Sequence, residues 1–396
     1  MRVAVVGAGV AGLLTSYYLA RGRSAPEVHL YEARSRVGRP HCTGLVSLST
    51  AGRLPRASEV VLDLYRAIEI YVPELRFRLR LSSERPSFLR LARLELEELL
   101  VEELARLGVK LFLSSPVRGV SRSGGGLLVH VGVGAKLYDF VVAATGYSPR
   151  FTGSLGLTSI SQTLSGVQLE VEVRGSRWLE EGTAYAILSN YLGGGFAWIV
   201  PGSYGRVLVG CATPPTGPPA LSYLRLLLRA IERSSSSVRV LSEPYGGVVL
   251  RGYPRRVLAG SVAGVGDSVA MVKSLSGGGL YAISIASKLI ADYLGGDLQA
   301  LRALEALRGE LTLQNRLSKL VYRLLRLLEV TGFRGRSINA WLKNLDYDHH
   351  VELLVQLLSN ARSYLALVRS RVELELGKAK VPNRGSYGGV VGEPRY

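Results

Sequence analysis

Three observations in the sequence predict an α/β fold, α+β in its distribution, with an inserted antiparallel sheet and a helical C-terminus. A glycine-rich strand-to-helix motif opens the chain and is answered by a second one across residues 262–282. Between them, from about Phe151 to Leu250, apolar residues alternate with the period of two of a half-buried sheet. From Leu298 onward leucines recur at helical spacing, with arginines on the other face.

The N-terminal half-motif reads as strand, turn, helix, strand, acid. Arg2–Val6 is a short β-branched run suited to a buried parallel strand. Gly7, Gly9 and Gly12 follow in G-x-G-x-x-G spacing. Gly7 permits the tight turn, Gly9 leaves room for a pyrophosphate, and Gly12 lets the next helix pack close to the sheet. A helix is predicted over Val10–Ala20, its first N–H groups facing the phosphates. A second strand, Glu27–Tyr31, ends at Glu32, whose spacing from the glycines suits a carboxylate bonding a ribose hydroxyl.

In the downstream half, Val265-Gly266-Asp267-Ser268 follows an apolar run. The chain is expected to turn at Gly266, with the Asp267 carboxylate accepting from a ribityl hydroxyl or capping the next turn. Gly277, Gly278 and Gly279 then open a helix over Leu280–Leu294. Its N-terminal dipole can face the isoalloxazine O2, where a reduced flavin concentrates charge. A cofactor held from both ends of the chain is FAD, in a Rossmann-like FAD-binding domain.

The intervening segments follow by period and punctuation. Ala33–Thr50 reads as a loop and Glu59–Glu69 as a helix. Arg93–Leu107 is a helix stopped by Gly108, followed by a strand over Val109–Leu113. Val117–Val120 and Leu127–Val133 begin a meander, and Tyr138–Gly146 supplies a further strand and turn. Gly166–Val173, Thr183–Ser189, Phe196–Val200 and Arg206–Cys211 are strands of the inserted sheet, with a helix over Leu221–Arg233. The predicted divisions are 1–150 and 256–296 for the two parts of the FAD domain and 151–255 for the substrate domain. Residues 297–376 form a helical region, with helices at Leu298–Leu328, Ser337–Leu345 and His350–Leu374, and 377–396 a poorly ordered tail.

Composition bounds the function class. A chain of 396 residues exceeds one ordinary core. No run of 18 apolar residues suggests a membrane span. Two cysteines, Cys42 and Cys211, argue against a disulfide framework and for a cytoplasmic setting. The net charge of +18 comes mostly from arginine. With no nucleic-acid module visible, that charge points to a solvated basic surface or to anionic lipid headgroups at the inner membrane face. Asp346, Asp348, His349 and His350 read as a helix start, and no metal site is expected.

Taken in order, the glycine motif with Glu32, Arg93 opening a helix, Ala144-Thr145-Gly146, Gly266-Asp267 and the triple glycine resemble the para-hydroxybenzoate hydroxylase-type FAD superfamily. More narrowly, the chain resembles the geranylgeranyl reductase family, which includes archaeal digeranylgeranylglycerophospholipid reductases. Gly195-Phe196-Ala197-Trp198-Ile199-Val200-Pro201 is similar to that family's Y-x-W-x-F-P substrate motif, with Phe196 in place of Tyr and Val200 in place of Phe. The Cys42 loop lies where the family places a functional cysteine. The resemblance implies that Arg93 contacts FAD, that Phe196, Trp198 and Pro201 belong to the substrate site, and that the reaction saturates isoprenoid C=C bonds. An unactivated alkene needs hydride from reduced flavin N5 and a proton on the other carbon. Cys42 is the expected proton donor, with His41 tuning it. Two alternatives stay open: a flavin monooxygenase of the same superfamily, and a membrane-associated electron-transfer flavoprotein dehydrogenase-like protein. The electron donor is open between ferredoxin and NAD(P)H, and so is the oligomeric state.

Overall fold

A computed structural model describes residues 1–23, 25–332, 334–335, 337–341 and 348. The predicted helix His350–Leu374, the tail 377–396, and Asp346, His349 and His350 lie outside the described residues.

The N-terminal strands build a five-stranded sheet in the order Val262–Gly264, Phe140–Ala143, Arg2–Val6, Glu27–Tyr31, Lys110–Phe112. Every pair in it is parallel. Val262–Gly264 brings the downstream half of the chain back beside the first half. Helices Val10–Arg21, Arg93–Arg106 and Leu280–Leu294 bury leucine faces on this sheet, among them Leu13, Leu14, Leu96 and Leu100. Each such leucine is worth roughly 1.5–3 kcal/mol of transfer free energy. Gly108, at φ +75°, takes the left-handed position that ends the helix Arg93–Arg106.

A nine-stranded sheet stands against this domain. Its path runs Ser237–Val240, Thr158–Arg174, Arg206–Thr213, Phe196–Pro201, Thr183–Leu188, Ala67–Val72, Phe77–Ser82, Ser337–Trp341, and Tyr245–Arg256 pairs with Thr158–Arg174. Its outer face packs on the helix Ala220–Glu232 through Leu224 and Ile231.

Two predicted helices are strands. Residues 59–69 form a short 3-10 turn at Ala57–Val60, then strands Val61–Tyr65 and Ala67–Val72. The run Ala67-Ile68-Glu69-Ile70-Tyr71-Val72 alternates, and parallel pairing with Thr183–Leu188 satisfies its backbone. Residues 337–341, predicted as helix, form an edge strand parallel to Phe77–Ser82. The predicted loop 33–50 contains a strand, Leu45–Ser47, followed by a helical turn capped by the Ser47 hydroxyl. The inserted sheet therefore draws on 67–82 and 337–341 as well as 158–256, which the boundaries 151–255 do not capture. The predicted helix Leu298–Leu328 forms as Gln299–Val330.

Candidate functional site

A cavity of about 830 Å³ lies between the carboxyl ends of the parallel strands and the inner face of the large sheet, within the range of cofactor and ligand sites. It has a glycine-lined, polar end and an apolar end. Of the predicted residues, Gly7, Gly9, Glu32, His41, Cys42, Arg93, Phe196, Trp198, Asp267, Gly277, Gly278 and Gly279 line it. Gly12, Gly266 and Pro201 do not; they shape it from behind.

The N-terminal glycines differ in what constrains them. Gly7 sits at φ +103°, and a Cβ there would come 2.4 Å from the Ala144 carbonyl oxygen. A Cβ on Gly12 would lie 1.8 Å from the Gly7 oxygen. Gly12 lets the helix Val10–Arg21 cross its own strand closely, and Gly7 lets the turn pack on the Ala144 backbone. Gly9 has no protein atom within 4 Å of a Cβ and borders open cavity. It begins the helix without a side-chain cap, so the first N–H groups face the cavity.

Glu32 is buried at the end of its strand. It accepts from the Ala8 N–H at 2.9 Å and from Arg34 Nε at 2.9 Å. Burial opposes its ionisation, but Arg34 and the backbone donors hold the carboxyl below the usual range.

At the downstream half, Gly266 turns at φ +70°, where a Cβ would press 3.0 Å from Ala11 Cβ. Asp267 is enclosed by protein with a face on the cavity, and burial alone pushes its carboxyl up to about 6. A folded pKa above the unfolded value of 3.8 means that the folded apoprotein holds this proton more tightly. Asp267 therefore favours the fold below about pH 4, and that contribution is lost as pH rises through about 6. Relative to Asp267→Asn, wild-type apoprotein should lose melting temperature between pH 4 and pH 7; parallel curves would refute the shift. A ligand hydroxyl donating to the carboxylate should remove most of that difference.

Gly277 adopts φ +70° and abuts Val249 and Phe196, while Gly278 lies over Lys273. Lys273 and Gly278 exchange backbone contacts, with Lys273 N–H donating to Gly278 at 2.9 Å. The helix Leu280–Leu294 follows with no side-chain cap at Gly279.

Cys42 stands beside a buried ion pair. The Arg93 guanidinium bonds Glu97 on the next helical turn and donates to Cys42 Sγ at 3.8 Å. Arg93 Nε is buried without a partner. Burial works against the charge on Arg93, but Cys42 and Glu97 outweigh it and hold the guanidinium protonated. His41 donates from Nδ1 to the Arg39 carbonyl at 2.7 Å. Its surface opens on the cavity, yet enclosing protein atoms, with Arg93 and Arg39 nearby, push its pKa down. At pH 7 it is neutral, with Nε2 left as an acceptor.

Phe196 and Trp198 project from one face of their strand with ring centroids 5.5 Å apart. Both line the apolar end, together with Val200, Ala184, Ala186, Leu188, Ile68 and Ile70. Pro201 is outside the cavity; its carbonyl accepts from the Tyr65 hydroxyl at 2.8 Å. Cys211 is buried and faces the helix Ala220–Glu232, its Sγ 3.2 Å from the Ala220 carbonyl.

Several residues in and around the site lie outside the predicted set. Ile68 falls inside the predicted helix 59–69 and Ile70 just beyond it, and both stand on the strand Ala67–Val72. Arg251 bonds the Gly194 carbonyl and the Tyr322 hydroxyl and lies 4.5 Å over the Tyr322 ring. Lys273 pairs with buried Asp348 at 2.7 Å, and Asp348 also receives Thr50 at 2.7 Å and Ser47. Nothing in local spacing signals either contact. Among the described residues no group of three or more His, Cys, Asp or Glu is placed to hold a metal ion.

Comparison with known proteins agrees with this architecture. Residues 5–54 match the model of the NAD(P)-binding Rossmann-like domain family. The chain is similar to digeranylgeranylglycerophospholipid reductase 2 of Methanopyrus kandleri, 25% identical over 317 residues, covering 75% of this chain and 76% of the relative. A geranylgeranyl bacteriochlorophyll reductase-like protein of Thermoplasma acidophilum superposes with TM-score 0.72 at 16% identity, over 93% of this chain and 98% of that one. A flavin-dependent monooxygenase solved with FAD and substrate superposes with TM-score 0.64 at 18% identity, over 96% of this chain and 72% of that one. The fold is that of FAD-dependent oxidoreductases, and the chain resembles the geranylgeranyl reductase family.

Proposed function

We propose that this chain is an FAD-dependent oxidoreductase that saturates C=C bonds of geranylgeranyl-type lipids. The observation that carries the reading is the continuity of one cavity from a glycine-lined phosphate cradle, past Cys42 and Arg93, into an apolar chamber. The similarity to the Methanopyrus reductase supports the substrate class.

The residues fit FAD. The helix end at Gly9 would hold the pyrophosphate, Glu32 the ribose and Asp267 a ribityl hydroxyl, and Gly277–Gly279 would leave room for the ring. Bound and reduced, FAD supplies the hydride. The chain's own work is to exclude water, orient the prenyl chain and deliver a proton. Phe196, Trp198 and the aliphatic wall do the first two. The Cys42 thiol gives up the proton, and the Arg93 charge compensates the negative sulfur left behind. His41, neutral and tied to Arg39, is not the acid, and the Cys42 sulfur regains its proton from solvent.

Dithionite-reduced holoenzyme incubated with a geranylgeranyl lipid should yield product heavier by two mass units per double bond. Unchanged mass with every prenyl lipid tested would remove the reading. Cys42→Ser should slow turnover by about 10²–10⁴-fold with FAD content unchanged. A second reading, a flavin monooxygenase, is favoured by the superposition on a monooxygenase. It predicts oxygen-dependent NAD(P)H consumption stimulated by substrate.

Peripheral contact with anionic membrane belongs to the same reading. No described helix is long and apolar enough to cross a membrane. The helix Gln299–Val330 instead exposes Leu313, Leu320, Leu324 and Leu327 in one stripe. Arg316, Lys319, Arg323 and Arg326, also exposed, form the adjoining stripe, a pattern suited to an interfacial helix. Leu320→Glu with Leu324→Glu should abolish co-sedimentation with vesicles containing phosphatidylglycerol. Equal sedimentation of variant and wild type would count against this face.

A further inference from the structure

The apolar end of the cavity contains one polar side chain that has no protein partner for half of its amide. Gln168 sits on the strand Thr158–Arg174, is 1% exposed and lines the cavity. It lies in a row across three strands, Gln168 opposite Gly210 and Gly210 opposite Trp198. The glycine is required: a Cβ at position 210 would come 2.4 Å from the indole. Trp198 therefore lies flat across Gly210, and its Nε1–H donates to Gln168 Oε1 at 3.1 Å.

That bond settles which way the amide points. An indole N–H can only donate, so it must face the amide oxygen and not the NH₂ group. Gln168 Nε2 is then directed away from Trp198, and it is buried with no hydrogen-bond partner. A buried orphan donor is destabilising, and a leucine or methionine would avoid that cost. Phe196, two residues before Trp198, touches the Gly277 loop of the cofactor end. Trp198 and Gln168 lie farther along the sheet, toward the chamber that receives substrate.

We infer that Gln168 is a specificity residue: its Nε2 donates to an uncharged acceptor oxygen, of ether or carbonyl type, carried by the ligand in the apolar chamber. The inference rests on the reading that this chamber holds the substrate, and deepens it. The ligand is not a bare hydrocarbon; it bears oxygen at a set distance from the bond that reacts. Trp198 is the positioning residue that holds the amide in its donating orientation.

The test is equilibrium binding to FAD-loaded full-length protein of two ligand pairs. One pair is a geranylgeranyl ether of glycerol and the oxygen-free polyene of matching length. The other is a saturated long-chain methyl ether and its parent alkane. Wild type should favour the oxygenated member of a pair by about tenfold. Gln168→Leu should erase that preference by weakening the ether ligand, leaving the hydrocarbon within about twofold. Gln168→Met, closer in volume, should behave alike and guards against a packing defect in the leucine variant. Trp198→Phe should lose part of the preference, read as the ratio of affinities within each pair. Equal weakening of both members, a wild type without preference because water meets the donor, or a preference that survives Gln168→Leu would overturn the inference. Discrimination within the saturated pair alone, with no prenyl binding, would sink the prenyl reading and leave the role of Gln168 standing. Prenyl turnover without discrimination would do the reverse.

Discussion

Arg93→Met should destabilise the protein by about 3–5 kcal/mol, because it strands the Glu97 carboxylate in the interior. The two side chains are 8% and 4% exposed, so solvent cannot take over the lost partner. The double variant Arg93→Met with Glu97→Leu should recover most of the loss, since it removes both charges together. The variants also separate stability from chemistry. If Arg93 supports Cys42, the double variant should fold and turn over slowly per bound flavin; if Arg93 also contacts FAD, its flavin content should fall as well. Thermal melts of single and double variants check the first point, and flavin absorbance per chain checks the second. A single variant that melts like wild type would leave the ion pair without a structural role.

The second large effect separates glycines of one motif. Gly7→Ala and Gly12→Ala should each prevent accumulation of folded protein. Their Cβ atoms would lie 2.4 Å from the Ala144 oxygen and 1.8 Å from the Gly7 oxygen, both backbone atoms that cannot rotate away. Gly7 adds the penalty of its φ of +103°. Gly9→Ala should leave the apoprotein's melting temperature nearly unchanged, since its Cβ meets nothing within 4 Å. It should still cut FAD retention strongly, because that Cβ enters the space where a pyrophosphate would approach the backbone. Flavin content after gel filtration, set beside apoprotein melts, reads both quantities. If Gly9→Ala keeps its flavin, the cradle is not where the sequence spacing puts it.

Legibility along the chain follows the range of the interactions. The first strand–turn–helix–strand unit emerged with nearly its predicted bounds because its burial, turn and packing are written within a few dozen consecutive residues. The helix Arg93–Arg106 was readable for the same reason, with Gly108 as its stop. Residues 59–69 suit a helix because Val60, Leu64, Ala67 and Ile68 fall at helical spacing. The outcome turned on a parallel partner more than a hundred residues away, Thr183–Leu188. Residues 337–341 became a strand for the same cause, an available edge at Phe77–Ser82.

The sequence by itself determined the nucleotide-binding framework and the identity of most groups around the cavity. Gly7, Gly9, Gly12, Glu32, Asp267 and the triple glycine owe their recognisability to local backbone demands that few other residues meet. The tertiary structure alone decided who stands next to whom. It set Cys42 against the Arg93–Glu97 pair, closed Lys273 over Asp348, and laid Trp198 across Gly210 so that Gln168 turns its free N–H groups inward. Those neighbours come from separate strands and helices. Their energies depend on burial and on contacts between distant segments, quantities that no local spacing encodes.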